Sequence, residues 1–260
     1  MARDRIRLDQ ALVDRGLAPT RSRAQSLILA GVVRVDGAVA DKAGRAVDDA
    51  AVIEVAGPDH PWVSRGGVKL AAALDAFAIS PLDRRCLDVG ASTGGFTHVM
   101  LERGAAHVVA LDVGHNQLDW RIRQDPRVTV IEGVNARLLA PGDLDGPFDL
   151  VTIDVSFISL KLVLPALLPF FAPGADLVAL VKPQFEAGRA EVGKGGVVRD
   201  PEVRARAIDG VLAAAAEMGL RSCARIASPI AGPAGNIEEL VWFTLDDGCH
   251  SGQDASSAQR

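Results

Sequence analysis

A chain of 260 residues has room for one large α/β domain and one small module, each able to bury a core. Apolar residues make up 48% of it, yet no uninterrupted apolar run approaches the ~20 residues a membrane helix needs. The start, MARDRIRLDQ, lacks the apolar stretch of a secretory signal, so a soluble cytoplasmic protein is expected and spanning or exported classes are set aside. The net charge of −5 is uneven: the first 34 residues carry 7 arginines against 3 aspartates, and the chain beyond Lys69 carries 17 basic against 24 acidic residues. A basic head on an acidic body suits a nucleic-acid partner at one end, although a small imbalance of this kind also simply solvates a surface.

In chain order, residues 6–17 read as a helix with Leu8 and Leu12 one turn apart and Gly16 near its stop. Thr20 caps a second helix whose apolar face is Ala24, Leu27 and Ile28, with Gly31 just past its end. Val33 and Val35 alternate with Arg34 ahead of the tight-turn pair Asp36-Gly37, and Val52–Val55 forms a last short strand. Gly57-Pro58-Asp59-His60-Pro61 interrupts both periodicities. The expected division is a small α+β module over 1–59, a linker over 60–63, a domain over 64–245 and a disordered polar tail over 246–260. After Ser64-Arg65-Gly66-Gly67 comes a helix with the stripe Leu70, Ala73, Leu74, Phe77. Strands at 86–90, 107–113, 128–132, 149–154 and 177–182 then alternate with helical or irregular crossovers, the pattern of a parallel, doubly wound Rossmann-like sheet. Asp200-Pro201-Glu202 starts a helix running to about Met218, and strands near 223–227 and 239–245 close the domain.

Asp88, Asp112, Asp154 and Lys182 fall at or near the carboxyl ends of apolar strands, where open α/β sheets bind ligands. Turns also favour aspartate, which accounts for any one of them more readily than for all. The first strand runs into Asp88-Val89-Gly90-Ala91-Ser92-Thr93-Gly94-Gly95-Phe96 and then a helix. This is D-x-G-x-x-x-G, unlike the phosphate-binding G-x-G-x-x-G or G-x-x-x-x-G-K-[ST], and an acid at its head suits a cationic ligand. Asp112, 24 residues on, stands where a ribose hydroxyl is accepted. A ligand with a ribose and a positive centre but no phosphates is S-adenosylmethionine. Asn135 fits either an adenosine-side contact or a loop-forming asparagine. His60, His98, His107, His115 and His250 lack metal-ligand spacing, and Cys86, Cys223 and Cys249 imply no disulfide framework or zinc ribbon, so no metal is expected.

A second group is Lys69, Asp154, Lys182 and Glu238. In that order they resemble the K-D-K-E tetrad of the FtsJ-like ribose 2′-O-methyltransferases. Val63–Gly67, Asp88–Phe96, Asp154–Ser159, Val181–Glu186 and Gly195–Val198 together resemble the TlyA family, also known as haemolysin A, over residues 3 to about 245. The resemblance implies an S4-like RNA-binding domain at the N-terminus and a class I methyltransferase domain behind it. It also implies S-adenosylmethionine as cofactor and 16S and/or 23S ribosomal RNA, within ribosomal subunits, as partner, with a cytidine ribose as acceptor. His60-Pro61-Trp62-Val63 occupies the place of the family's interdomain segment but departs from it ahead of the Trp-Val pair.

A ribose 2′-hydroxyl must lose its proton as it attacks a sulfonium methyl, so a base within hydrogen-bond reach helps. The expected roles are Lys182 as base, Lys69 tuning or orienting it, and Asp154 and Glu238 positioning lysines and hydroxyl, with the identity of the lysine that gives up its proton left open. The cofactor loop is taken as Asp88, Gly90, Ala91, Ser92, Gly94, Gly95 and Phe96, with Asp112 and Asn135. Candidate RNA contacts are Arg5, Arg7, Arg21, Arg23, Arg34 and Arg65. The glycine-rich loop 184–199, with Arg189, Lys194 and Arg199, either closes over a target nucleotide or is a passive connection. Competing readings are a nucleotide-dependent oxidoreductase, a non-catalytic RNA-binding ribosome-assembly factor, and a lytic protein. The missing G-x-G-x-x-G counts against the first, the intact tetrad against the second, and the absence of any amphipathic or spanning segment against the third.

Overall fold

The computed structural model describes residues 5–18, 20–55, 60–232 and 234–245. These form two compact units, one comprising the described residues through Arg65 and the other those from Gly66 onward. The expected tail 246–260 and the linker residues Gly57–Asp59 lie outside the described residues.

The first unit runs β1 (Ile6–Arg7), α1 (Leu8–Asp14), α2 (Arg21–Leu29), β2 (Val33–Val35), β3 (Ala38–Val39), β4 (Ala46–Val47) and β5 (Ile53–Val55). The helix expected over 6–17 is shorter at both ends. Ile6 and Arg7 pair antiparallel with Val47 and Ala46, a contact between segments 40 residues apart that local periodicity does not reveal. At the other end Gly16 takes a φ of 70° and turns the chain out of the helix. The Thr20 hydroxyl accepts from the Arg23 amide at 3.2 Å and caps α2 as its residue type demands. Asp36 and Gly37, both at positive φ, make the two-residue turn that pairs Val35 with Ala38. Leu8, Leu12, Ala24, Ile28, Val33, Val35 and Val47 are buried together as a small core.

The second unit runs α3 (Gly66–Phe77), β6 (Arg85–Val89), α4 (Gly95–Glu102), β7 (His107–Asp112), α5 (Trp120–Arg123), β8 (Val128–Glu132), β9 (Phe148–Ile153), α6 (Leu160–Leu167), β10 (Phe171–Val181), α7 (Pro183–Glu186), α8 (Pro201–Glu217), β11 (Arg221–Ala227) and β12 (Glu239–Thr244). Its seven strands lie in the order β11-β12-β10-β9-β6-β7-β8. β6, β7, β8, β9 and β10 pair in parallel, and the near-continuous apolar sequences of β6, β7, β9 and β10 reflect burial on both faces, while the edge strand β8 is only partly buried. Strand order reverses between β6 and β9, which creates the ligand crevice of a doubly wound sheet.

The five strands expected to pair in parallel do so, while β12, to which the sequence assigned no direction, is antiparallel to both β10 and β11. No helix intervenes between β11 and β12, so the chain returns as a hairpin rather than crossing over. This reversal matters to the site. Val181, the last residue of β10, pairs with Glu239, the first of β12. Glu238 precedes its strand, yet it arrives at the same sheet edge as residues that follow theirs. The stripe of α3 is buried as expected, and Phe77 stacks on Trp242 of β12 with ring centroids 6.1 Å apart.

Candidate active site

The loop after β6 is shaped by glycine where the backbone has no alternative. Gly90 has a φ of 84°, and a Cβ there would stand 2.4 Å from the Asp154 carbonyl oxygen. Two strand ends therefore approach as closely as backbone allows. Gly94 is left-handed as well, and a Cβ there would meet Leu118 at 2.8 Å. Ala91, Gly94, Gly95 and Phe96 are buried, so they support the turn from below, while Ser92 is exposed at its tip. Asp112 accepts from the Ser92 amide and from the Gly114 amide, each at 2.7 Å, which fixes its carboxylate at the end of β7. Asn135 uses its side-chain oxygen to cap the short 3-10 turn Ala136–Leu138, accepting from the Arg137 amide at 3.1 Å. Its local role is the loop-forming one.

Asp88 occupies a different position from the one its place in the sequence suggests. It is wholly buried, and both carboxylate oxygens are taken by hydroxyls: Thr97 donates to Oδ2 at 2.7 Å and Thr152 to Oδ1 at 3.1 Å. Thr152 stands directly beside Asp88 in the β6–β9 register, and Thr97 lies in the first turn of α4. Burial pushes this carboxyl up to about 7, against the smaller opposing effect of the two hydroxyls. Asp88 thus ties β6, β9 and α4 together beneath the loop. Thr152 was the missed signal, a polar residue inside the apolar run of β9.

The four residues of the second group form two ion pairs. Lys182 Nζ lies 2.5 Å from Asp154 Oδ1 and donates to Ser156 Oγ at 2.9 Å. Lys69 Nζ lies 2.5 Å from Glu238 Oε2, with both side chains buried. Removing one partner of such a buried pair strands the other's charge, which is far costlier than losing a surface pair. Lys69 is delivered by α3, Asp154 and Lys182 by the ends of β9 and β10, and Glu238 by the entry to β12. The other oxygen of Glu238 is packed against Gly232, where a Cβ would sit 2.4 Å from Oε1.

Three supports escaped the sequence reading. Glu186 accepts from the Ser159 hydroxyl at 2.6 Å and the Leu160 amide at 2.7 Å, joining the segment after Lys182 to the segment after Asp154. Burial pushes the Glu186 carboxyl up. Phe157, at a φ of 65° and almost fully exposed, packs its ring against Phe185 at 5.2 Å across the same junction. Asn236 is buried, accepts from the Val198 amide at 2.9 Å and donates to the Gly196 carbonyl at 2.8 Å. That clasp fastens the loop 184–199 to the segment bearing Glu238.

In the first unit Arg7 and Arg21 meet on the Asp9 carboxylate. Arg23 is exposed on α2, Arg34 donates to the Gly37 carbonyl at 3.1 Å, and Arg5 is exposed ahead of β1. Arg65 is exposed, with Nη1 3.8 Å from where a Gly31 Cβ would stand.

A sheet of this order, with a glycine turn at its reversal point, defines a doubly wound α/β ligand-binding domain. The FtsJ-like methyltransferase family matches residues 62–245, and the S4 domain family matches residues 6–53. A Mycobacterium tuberculosis protein named 16S/23S rRNA (cytidine-2'-O)-methyltransferase TlyA is 55% identical over 94% of this chain and 91% of its own length. Hemolysin A of Brachyspira hyodysenteriae is 40% identical over 92% of this chain and 100% of its own. A solved structure of a Streptococcus thermophilus protein named as a hemolysin is 43% identical and covers 95% of this chain and 90% of that one, with a TM-score of 0.74. The chain belongs to the TlyA family of FtsJ-like methyltransferases. The hemolysin name is a second label for the same family, and among the described residues no helix is long and apolar enough to cross a membrane.

Proposed function

We propose that this methyltransferase acts on a cytidine ribose 2′-hydroxyl in ribosomal RNA, with S-adenosylmethionine as methyl donor. The observation that carries the reading is the Lys182 ammonium, held 2.5 Å from Asp154 and bonded to an alcohol oxygen, that of Ser156, at 2.9 Å. An alcohol oxygen thus fits at hydrogen-bond distance from Nζ, the reach a base needs toward a ribose hydroxyl once Nζ has lost its proton. The name of the M. tuberculosis relative supports the cytidine and the 2′-oxygen, and the S4 match supports RNA as the macromolecule bound.

The residues at the sheet reversal fit the cofactor. Gly90 lets the chain after β6 pass against the end of β9, where a Cβ would stand 2.4 Å from the Asp154 carbonyl oxygen, and the Asp112 carboxylate is fixed by amides at the end of β7, where doubly wound sheets accept ribose hydroxyls. When bound, S-adenosylmethionine supplies the sulfonium methyl. The protein's part is positional and protolytic. Asp154 and Ser156 hold Lys182 in place, and Lys182, once its ammonium has released a proton to Asp154 or to water, takes the 2′-hydroxyl proton as the oxygen attacks. The Lys69–Glu238 pair is anchored by α3 and by the entry of β12 and positions the site beside the end of β10. Alignment of oxygen and methyl supplies much of the acceleration.

Separated, unmodified 30S and 50S subunits incubated with labelled S-adenosylmethionine test this directly. The expected product is a 2′-O-methylcytidine in at least one subunit's RNA. Label on a base, or on neither subunit, overturns the reading.

A further inference from the structure

Arginines that contact phosphate are usually mobile surface side chains, and ordering them costs binding energy. Arg7 and Arg21 differ. Both lie about half exposed, yet both are tethered to one fully buried carboxylate. Arg7 grips Asp9 with two bonds, Nε to Oδ1 and Nη2 to Oδ2, each at 3.0 Å. Arg21 Nη2 reaches the same Oδ2 at 3.1 Å. Gln25 Nε2 adds a bond to Oδ2 at 2.9 Å, and the Gln10 amide one to Oδ1 at 3.0 Å. The bonds from Arg7, above all, hold the Asp9 carboxyl far below the usual carboxylate range, which keeps it ionised at neutral pH. Gly44 makes room for this arrangement, since a Cβ there would stand 3.1 Å from Arg7 Nη1.

Two guanidinium groups on one oxygen would repel each other without the charge between them. With it they are parked side by side, and among the described residues no protein acceptor engages Nη1 of either arginine or Nε of Arg21. Those N–H groups point away from a fixed anchor, a geometry suited to a phosphodiester rather than to a diffuse cloud of charge. We propose that Asp9 is a positioning residue for RNA: a buried anion that presents Arg7 and Arg21 as a preorganised phosphate fork. The inference rests on the reading of this unit as RNA-binding.

Asp9→Asn separates positioning from charge, because the two predict opposite signs. The amide raises the net charge by one, so a charge-only face binds RNA more tightly and with a steeper salt dependence. A face that depends on positioning binds more weakly despite the added charge. Filter binding of the full-length protein to unmodified ribosomal subunits, from about 50 to 200 mM salt, reads both. The expected result is about tenfold weaker binding with a shallower slope. Arg7→Lys, an exposed change that keeps the charge and loses the two-pronged grip, should also weaken binding several-fold, which covers an Asp9→Asn chain that folds poorly. The double variant Arg7→Ala/Arg21→Ala identifies which idea fails. If it binds like the parent, the RNA reading of this face is wrong and the fork falls with it. If it weakens binding while Asp9→Asn and Arg7→Lys do not, the positioning role alone is wrong.

Discussion

Asp9 in the first unit and Asp88 in the second are both wholly buried aspartates, yet they are held in opposite states. Asp9 is bonded by two arginines and its carboxyl is driven down, whereas Asp88 is bonded by two threonine hydroxyls and burial drives it up to about 7. Desolvation opposes ionisation at both. What differs is whether a cation compensates, and that difference decides what each residue can do. An ionised buried carboxylate organises charge at the surface above it. One poised near neutrality organises backbone, here the junction of β6, β9 and α4 under the cofactor loop. The first unit thus displays charge through Asp9, while the candidate site of the second confines it in the Lys69–Glu238 and Asp154–Lys182 pairs above a carboxyl pushed up to about 7.

The largest effect that separates the units is expected at Lys182. Lys182→Ala should lower the rate of methyl transfer by about two to four orders of magnitude, the usual contribution of a positioned base, while RNA affinity and cofactor affinity stay near normal. Single-turnover transfer beside equilibrium binding checks this, and a near-normal rate with cofactor bound would sink the base assignment.

A smaller effect tests Asp88. The native state keeps a proton up to about pH 7 that the unfolded chain releases near 4, so stability falls as pH rises through that window. Asp88→Asn mimics the protonated form and should be spared that fall. Its advantage over the parent should be near zero at pH 4, then grow and level off above pH 7, at up to roughly 2–4 kcal/mol. Thermal melts across the range decide it, and a stability gap that does not change with pH would show that Asp88 is not the proton-holding group. Gly232→Ala should act next most strongly, on the rate alone. The added methyl would lie 2.4 Å from Glu238 Oε1 and push the carboxylate off Lys69, lowering transfer by about tenfold with the fold intact, as melts run in parallel would show.

The sequence carried the strand alternation, the helix starts at Thr20 and Asp200 and the glycine turn after the first strand of the sheet, because each follows from local periodicity or residue type, whereas Lys69, Asp154, Lys182 and Glu238 were grouped by their resemblance to a family tetrad. What it hid depends on register. That Glu238 reaches the edge bearing Lys182 requires β12 to run antiparallel, and only the pairing of Val181 with Glu239 reveals it. Which acid meets which lysine was equally hidden, since order along the chain does not encode the Lys69–Glu238 and Asp154–Lys182 pairing. Asp88 was misplaced for a related reason. At a strand end it looks like a ligand contact, and only its neighbours Thr97 and Thr152 show it turned inward. In the first unit, seven arginines in 34 residues indicated charge, but not that a buried acid gathers two of them.

Glu186 offers the finest test, because it is a half-buried carboxylate and the contrast between Asp9 and Asp88 assigns it a class in advance. Its partners are a hydroxyl and a backbone amide, with no arginine, and burial pushes it up as it does Asp88. Glu186→Gln should therefore be nearly silent, within about 0.5 kcal/mol in stability, since the carboxamide oxygen can accept from Leu160 and its nitrogen can donate to Ser159. Glu186→Ala strands both donors and should cost about 1–2 kcal/mol, slowing transfer through drift of Asp154 relative to Lys182. The same acid-to-amide exchange at Asp9 is expected to be costly for RNA binding. If Glu186→Gln proved as damaging as Glu186→Ala, charge rather than hydrogen bonding would be its contribution, and the identity of the bonding partner would no longer predict the role of a buried acid in this fold.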